Sequence, residues 1–97
     1  MSELVFEDFE AHVGANFTLD EEPFPPLQLV LETAKLLPQR DSPASRPAFT
    51  LLFRCADPRI LPQQIYRIAH QEMGSVSLFL VPVGQDEAGV KYESLFN

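Results

Sequence analysis

The chain has 97 residues, 45% of them hydrophobic, and carries a formal net charge of −7. This length and apolar fraction predict one folded domain over residues 1–97. Because no apolar run reaches the ~20 residues of a membrane span and the first residues lack signal-peptide features, we expect a cytoplasmic protein. The acidic balance argues against a nucleic-acid or membrane partner, and the single cysteine excludes an internal disulfide and a cysteine-based metal site.

The first predicted element is a short helix over residues 5–13. Phe6, Phe9 and Val13 recur at i, i+3 and i+7, which places them on one helical stripe, and the acidic residues between them face water. Gly14 fits the C-terminal stop of such a helix. A helix this short depends on packing, so we expect its aromatic rings to lie on another surface.

The next segments predict strands separated by a proline-rich loop. Residues 16–20 alternate weakly and predict a short strand, and the prolines of residues 21–26 predict a loop. Residues 27–37 suit a strand or a helix. Their apolar side chains alternate and then change phase by one position, as a β-bulge produces, at Leu27, Leu29, Leu31, Ala34 and Leu36. The segment is also rich in good helix formers, but the strand is the preferred interpretation.

Four further strands are predicted in the second half of the chain, at residues 48–55, 64–70, 76–83 and 90–96, with turns or loops at 38–47, 56–62, Gly74 and 85–89. This pattern predicts a mainly β domain, as a small antiparallel meander, curled sheet or barrel, with a short N-terminal helix. The expected interior consists of Phe49, Leu51, Phe53, Tyr66, Ile68, Leu78, Leu80, Tyr92 and Phe96.

The strand at residues 76–83 has more apolar side chains than one buried face needs. Leu78, Phe79, Leu80 and Val81 stand in a row, although successive side chains of a strand point to opposite faces. Phe79 and Val81 are therefore expected on the outer face, together with Leu52. We expect the N-terminal helix to cover part of this outer surface and a protein partner to cover the rest.

The motifs of the chain resemble those of a small bacterial family of domains of unknown function, the 6916 family. They are FTLLFR at 49–54, LPQQIYRIAH at 61–70, MGSVSLFLVPVG at 73–84 and YESLFN at 92–97, with Phe9, His12-Val-Gly and Phe17 near the start. The resemblance covers nearly the whole chain and implies a fold rather than an enzyme activity. Family members are often encoded beside phage-type, tail-collar-like proteins, which implies an accessory role in such an assembly.

Residues with catalytic or metal-binding chemistry are few. Cys55 and His70 are the only nucleophile-and-base pair, but if strands 48–55 and 64–70 pair, the two lie far apart, and Cys55 is expected to be a buried hydrophobe. His70 is expected to bond a backbone carbonyl through its ring. His12, on a distant helix, is the only other histidine, so no metal site is expected. We expect no catalytic residue, no cofactor and no enzyme activity.

The preferred functional hypothesis is a non-enzymatic interaction or assembly module that binds a protein partner or a second copy. Phe79 and Val81 are the predicted contact residues, and Arg40 and Arg46, in the 38–47 loop, are predicted to steer the partner. The alternatives are a β-barrel that binds a small apolar ligand, entered near that loop, and a thiol enzyme using Cys55. The terminal strand at residues 92–97 is expected to close the sheet, although it could instead present an edge for strand addition.

Overall fold

The computed structural model describes residues 6–20, 26–37 and 48–96. Arg40 and Arg46 lie outside these residues. The described elements are one helix and six strands: α1 (Phe6–Glu10), β1 (Asn16–Leu19), β2 (Leu27–Leu36), β3 (Phe49–Cys55), β4 (Gln64–His70), β5 (Gly74–Asp86) and β6 (Gly89–Phe96). The described part of the chain contains no helix with the length and apolar character needed to span a lipid bilayer.

The six strands form one antiparallel sheet in the order β1-β2-β3-β6-β5-β4. The sheet closes into a ring because β4 also pairs with β1, at Thr18↔Ala69 and Leu19↔Ile68. The fold is therefore mainly β with a short N-terminal helix, as predicted. The order is not that of a simple meander, since β3 pairs with β2 and β6 rather than with β4.

The ring interior is built by strict alternation along the strands. In β3 every second residue is buried, from Phe49 to Cys55. The predicted interior is confirmed for eight residues, which are at most 4% exposed: Phe49, Leu51, Phe53, Tyr66, Ile68, Leu78, Leu80 and Tyr92. Phe96 is partly buried and packs against the same core.

Residues 27–36, whose sequence suited either a strand or a helix, form strand β2. This strand contains the predicted β-bulge. Leu31 lies opposite Phe53 and Thr33 lies opposite Leu52, so Glu32 is an inserted residue that has no partner in β3. The bulge explains the change of phase in the apolar pattern, because one inserted residue turns Ala34 toward the core, where it is partly buried, although Leu36 near the end of the strand is 47% exposed.

Strand β5 is longer than predicted and continues past Pro82 to Asp86. The β4–β5 pairs end at Gln64↔Leu80, so a residue at position 82 needs hydrogen bonds only on the β6 side. Proline is tolerated at such half-paired positions and at bulges, and the β5–β6 register indeed shifts between Pro82 and Gly84. The hairpin closes at Asp86↔Gly89. A side chain at Gly89 would collide with the carbonyl group of Cys55.

Helix α1 closes one end of the ring. The Phe9 ring is fully buried and lies 5.9 Å from the Phe49 ring and 5.3 Å from the Phe96 ring. The prediction that this helix covers Phe79 and Val81 is wrong, because its aromatic rings pack into the interior side of the sheet. Val13 is 45% exposed, because α1 ends at Glu10 and Val13 lies in the following turn.

Residues 56–63, which join β3 to β4, lie at the opposite end of the ring. Leu61 is buried there, and its N–H donates to the hydroxyl of the buried Tyr92 at 3.0 Å. Arg59 donates from both its side chain and its backbone to Asp57, which holds the pKa of that carboxyl down at about 2. The bond to Tyr92 fixes the connection against the ring, whereas the bonds between Arg59 and Asp57 stabilise the turn within the connection.

Candidate functional site

Three large apolar side chains lie side by side on the outer face of the ring, on the neighbouring strands β4, β5 and β6. Ile65 is 63% exposed, Phe79 is 47% exposed and Leu95 is 53% exposed. We call these three residues the outer strip. Ile65 and Phe79 are directly opposite each other in the β4–β5 ladder. Contiguous exposed apolar side chains of this kind are typical of an interaction surface.

A shallow depression lies between β5 and β6 beside the outer strip. It has a volume of about 130 Å³ and is lined by Ser77, Leu78, Phe79, Ser94, Leu95 and Phe96. The β5–β6 pairs run from Val81↔Glu93 to Asp86↔Gly89, so the depression lies just beyond the first pair of this ladder. Its floor and walls are largely apolar, which suits the entry of a single apolar side chain.

The predicted contact residues differ in exposure. Phe79 points outward, because its neighbours Leu78 and Leu80 on the strand are buried. Val81 is half-buried and lies opposite Glu93. Sequence reasoning missed Ile65 and Leu95. Each has the opposite parity to its buried neighbours, so the alternation that identified Phe79 also identifies them once the strands are aligned.

The outward positions of the sheet include more basic than acidic side chains, although the chain is acidic. The basic residues are Lys35, Arg54, Arg67 and Lys91, and the acidic residues include Glu32 and Glu93. Arg54 and Lys91 are directly opposite each other, an arrangement that is unfavourable for like charges. The extra residue of the β-bulge offsets this repulsion, because Glu32 lies 3.0 Å from Arg54 Nε and 4.0 Å from Lys91 Nζ.

Cys55 has neither the exposure nor the partner that a nucleophile requires. It is 2% exposed, and burial raises the pKa of its thiol, which disfavours the reactive thiolate. Cys55 ends β3 beside residues 56–63, whereas His70 ends β4 at the side of the ring that α1 closes. The geometry therefore brings together no Cys55–His70 pair.

His70 and His12 lie together, contrary to the prediction of distant histidines. Their ring centroids are 4.4 Å apart in an edge-to-face arrangement. His70 Nδ1 accepts the backbone N–H of Glu72 at 3.0 Å, so its predicted bond to a backbone carbonyl is wrong. The backbone carbonyl of Asp8, followed by the Glu72 carboxylate, raises the pKa of His12.

Comparison with known proteins identifies one family. No curated protein matched the chain, and no solved structure matched it either. The model of the family described as "Domain of unknown function (DUF6916)" matches residues 4–96. Since this match spans almost the whole chain and includes every described strand, the protein belongs to the DUF6916 family.

Proposed function

We propose that this domain is a non-enzymatic protein-interaction or assembly module that binds its partner through the outer strip. The observation behind the proposal is the exposure of Ile65, Phe79 and Leu95 on three adjacent strands. Burying a large apolar side chain on association contributes roughly 1.5–3 kcal/mol, so three neighbouring ones form a sufficient centre for an interface.

The proposed contact uses side chains rather than an added strand. Strand β6 pairs with β3 along residues 90–96 and with β5 along residues 89–93. This leaves β6 a free edge of only three residues, 94–96, on the β5 side, which is short for the addition of another strand, since edge addition needs a run of unpaired N–H and C=O groups. The partner accordingly places an apolar side chain in the depression between Phe79 and Leu95.

The proposed partner is a different protein whose apolar contact residues are flanked by carboxylates. Arg67 follows Ile65 on the outward positions of β4, and Lys35 and Lys91 extend the basic surface along β2 and β6. Complementary charges of this kind favour association with an acidic rim and orient the partner. A second copy of this chain is the less favoured occupant.

The two alternative functions have weaker support. The ring interior is filled by its own side chains, such as Phe17 and Phe53 with ring centroids 5.6 Å apart, which argues against a ligand-binding barrel. A thiol enzyme is disfavoured by the buried, protonated Cys55. The proposed setting is the cytoplasm, as the sequence features suggest. The proposed role is accessory to a phage-tail-like assembly, and this role rests on the family resemblance alone.

The experiment begins with the protein that co-purifies from the native host, which is then produced recombinantly. Its affinity is measured by calorimetry for the wild-type domain, Phe79→Ser and Ile60→Ser. Ile60 is the matched control, because it is 57% exposed and lies among residues 56–63, away from the outer strip. We expect Phe79→Ser to weaken binding about tenfold or more and Ile60→Ser to leave it unchanged.

Two results contradict the proposal. Equal affinity for wild type and Phe79→Ser would place the interface elsewhere. Light scattering that shows a concentration-dependent dimer, abolished by Phe79→Ser, would instead assign the outer strip to a second copy of the chain.

A further inference from the structure

We propose that His12, His70 and Glu72 bind a divalent transition-metal ion of the Zn²⁺ class. Each of the three residues offers one ligand atom, and these atoms lie within 4.8 Å of one another. His12 follows helix α1, whereas His70 ends β4 and Glu72 lies in the turn to β5. A bound ion would therefore join the N-terminal segment to the β4–β5 hairpin. This inference is independent of the outer strip.

The ligand set selects the class of metal. Two imidazoles and one carboxylate suit Zn²⁺, Co²⁺, Ni²⁺ and Cu²⁺, whereas Mg²⁺ and Ca²⁺ require sites built from oxygen atoms. Three protein ligands leave a fourth, open position, as in many zinc sites. Ligand atoms around a tetrahedral Zn²⁺ are roughly 3.4 Å apart, given bonds of about 2.0–2.1 Å. The ligand atoms of the present cluster lie within 4.8 Å of one another, so they reach this spacing through small side-chain movements.

His12 is oriented as metal-binding histidines usually are. Its Nδ1 donates to the backbone carbonyl of Asp8 at 2.9 Å, which leaves Nε2 to face the Glu72 carboxylate at 3.0 Å. A backbone acceptor at one ring nitrogen fixes the tautomer in which the other nitrogen is the ligand. In the metal-free protein, the Nε2–H group of His12 donates a hydrogen bond to the Glu72 carboxylate. A bound ion replaces this Nε2 proton.

Because Nδ1 of His70 already accepts backbone N–H groups, we infer that His70 coordinates the ion through Nε2, which requires a change of tautomer. Its Nδ1 accepts N–H groups from Glu72 at 3.0 Å and from Met73 at 3.4 Å, so the neutral ring has its proton on Nε2. Coordination through Nε2 moves the proton to Nδ1 and ends these hydrogen bonds. These N–H groups belong to the β4–β5 turn. Because Gln71 and Glu72 in this turn are exposed, its backbone can move when the hydrogen bonds are lost. The tautomer change is also a specific signature of binding.

The solvent can reach this cluster. His70 lines an open cavity of about 400 Å³, together with Asn16, Thr18, Gln28, Ala69 and Gln71. The Glu72 side chain is 71% exposed, so an ion can enter without unfolding the ring.

The composition of the chain makes the assignment testable without ambiguity. The sequence contains two histidines and one cysteine, and Cys55 is buried at the other end of the ring. An ion coordinated by two imidazoles can therefore only be held by His12 and His70. The experiment must use protein without a histidine tag, since a tag would supply competing ligands.

We would titrate the untagged protein with ZnCl₂ by calorimetry and record ¹⁵N spectra of both imidazoles. The expected result is one Zn²⁺ per chain, with His70 moving to the Nδ1–H tautomer while His12 keeps its Nδ1 proton and gives up its Nε2 proton. His12→Gln and Glu72→Gln should each weaken binding about tenfold or more. The matched control is Glu87→Gln, which removes an exposed carboxylate in the β5–β6 turn and should leave the affinity unchanged.

The proposal is overturned if no saturable binding occurs with Zn²⁺ up to about 1 mM, the upper end of weak affinity. It is also overturned if Mg²⁺ binds as well as Zn²⁺ or if Glu87→Gln weakens binding as much as Glu72→Gln does, because both results indicate unspecific carboxylate binding. Amide spectra of each variant establish that the fold is kept. Phe79→Ser should bind Zn²⁺ normally, which separates this test from that of the outer strip.

Discussion

At the scale of the residue, the hydroxyl group of Tyr92 holds the β3–β4 connection against the ring. Tyr92 is 1% exposed, accepts the Leu61 N–H at 3.0 Å and donates to the Arg59 carbonyl at 3.4 Å. Tyr92→Phe leaves the buried Leu61 N–H without its acceptor. We expect the free energy of unfolding to fall by about 1–3 kcal/mol, measured by urea denaturation.

Tyr66→Phe is the matched control for this prediction. The Tyr66 hydroxyl donates to the Pro62 carbonyl at 2.6 Å in a bond that is only part-buried, and because Pro62 is exposed, water reaches that carbonyl more easily than it reaches the buried Leu61 N–H. The loss of stability should therefore be clearly smaller than for Tyr92→Phe. Equal losses for the two variants would contradict the role assigned to the buried Leu61 N–H.

At the scale of the element, the β-bulge of β2 supplies the counter-ion for two opposed cations. Glu32→Gln leaves Arg54 and Lys91 facing each other across β3 and β6. Because all three side chains are partly exposed, we expect a loss of only about 0.5–1 kcal/mol. The loss should shrink as salt screens the repulsion, as measured by urea denaturation at low and high ionic strength.

Glu93→Gln provides the comparison for Glu32→Gln. Glu93 is also on the outward side of the sheet, but it lies opposite Leu52 and Val81 rather than between two cations. Its removal should change stability little at either salt concentration. A salt-independent loss at Glu32, or one matched at Glu93, would show that the bulge does not act through charge.

The elements were predictable from the sequence where periodicity alone determined them. The phase change between Leu31 and Ala34 predicted the bulge of β2, and parity predicted the outward position of Phe79. Periodicity failed at the end of β5, because the strand continues to Asp86 through Gly84 and Gln85, where no apolar alternation marks it. It also failed for α1, since a stripe of rings does not specify the surface on which it packs.

At the scale of the whole molecule, the strand order and the histidine cluster could not be predicted from the sequence. The pairing of β3 with β6 joins residues far apart in the chain, and no local pattern encodes that choice. His12 and Glu72, now 3.0 Å apart, are brought together only when α1 closes the end of the ring. The same closure leaves Phe79 exposed on the outer face, part of which the sequence-based prediction expected the helix to cover.

The closed ring implies that the interior, and not the outer strip, stabilises the molecule. Phe79 and Leu80 are adjacent on β5 but point to opposite faces, with exposures of 47% and 0%. We expect Leu80→Ala to lower the free energy of unfolding by about 2–5 kcal/mol, because it opens a cavity in the core. Phe79→Ser should change it by at most about 0.5 kcal/mol, as is usual for surface substitutions. Urea denaturation of the two variants measures both values. If Phe79→Ser proves as destabilising as Leu80→Ala, the Phe79 ring serves the fold of the isolated chain, and the argument for a protein partner at the outer strip loses its basis.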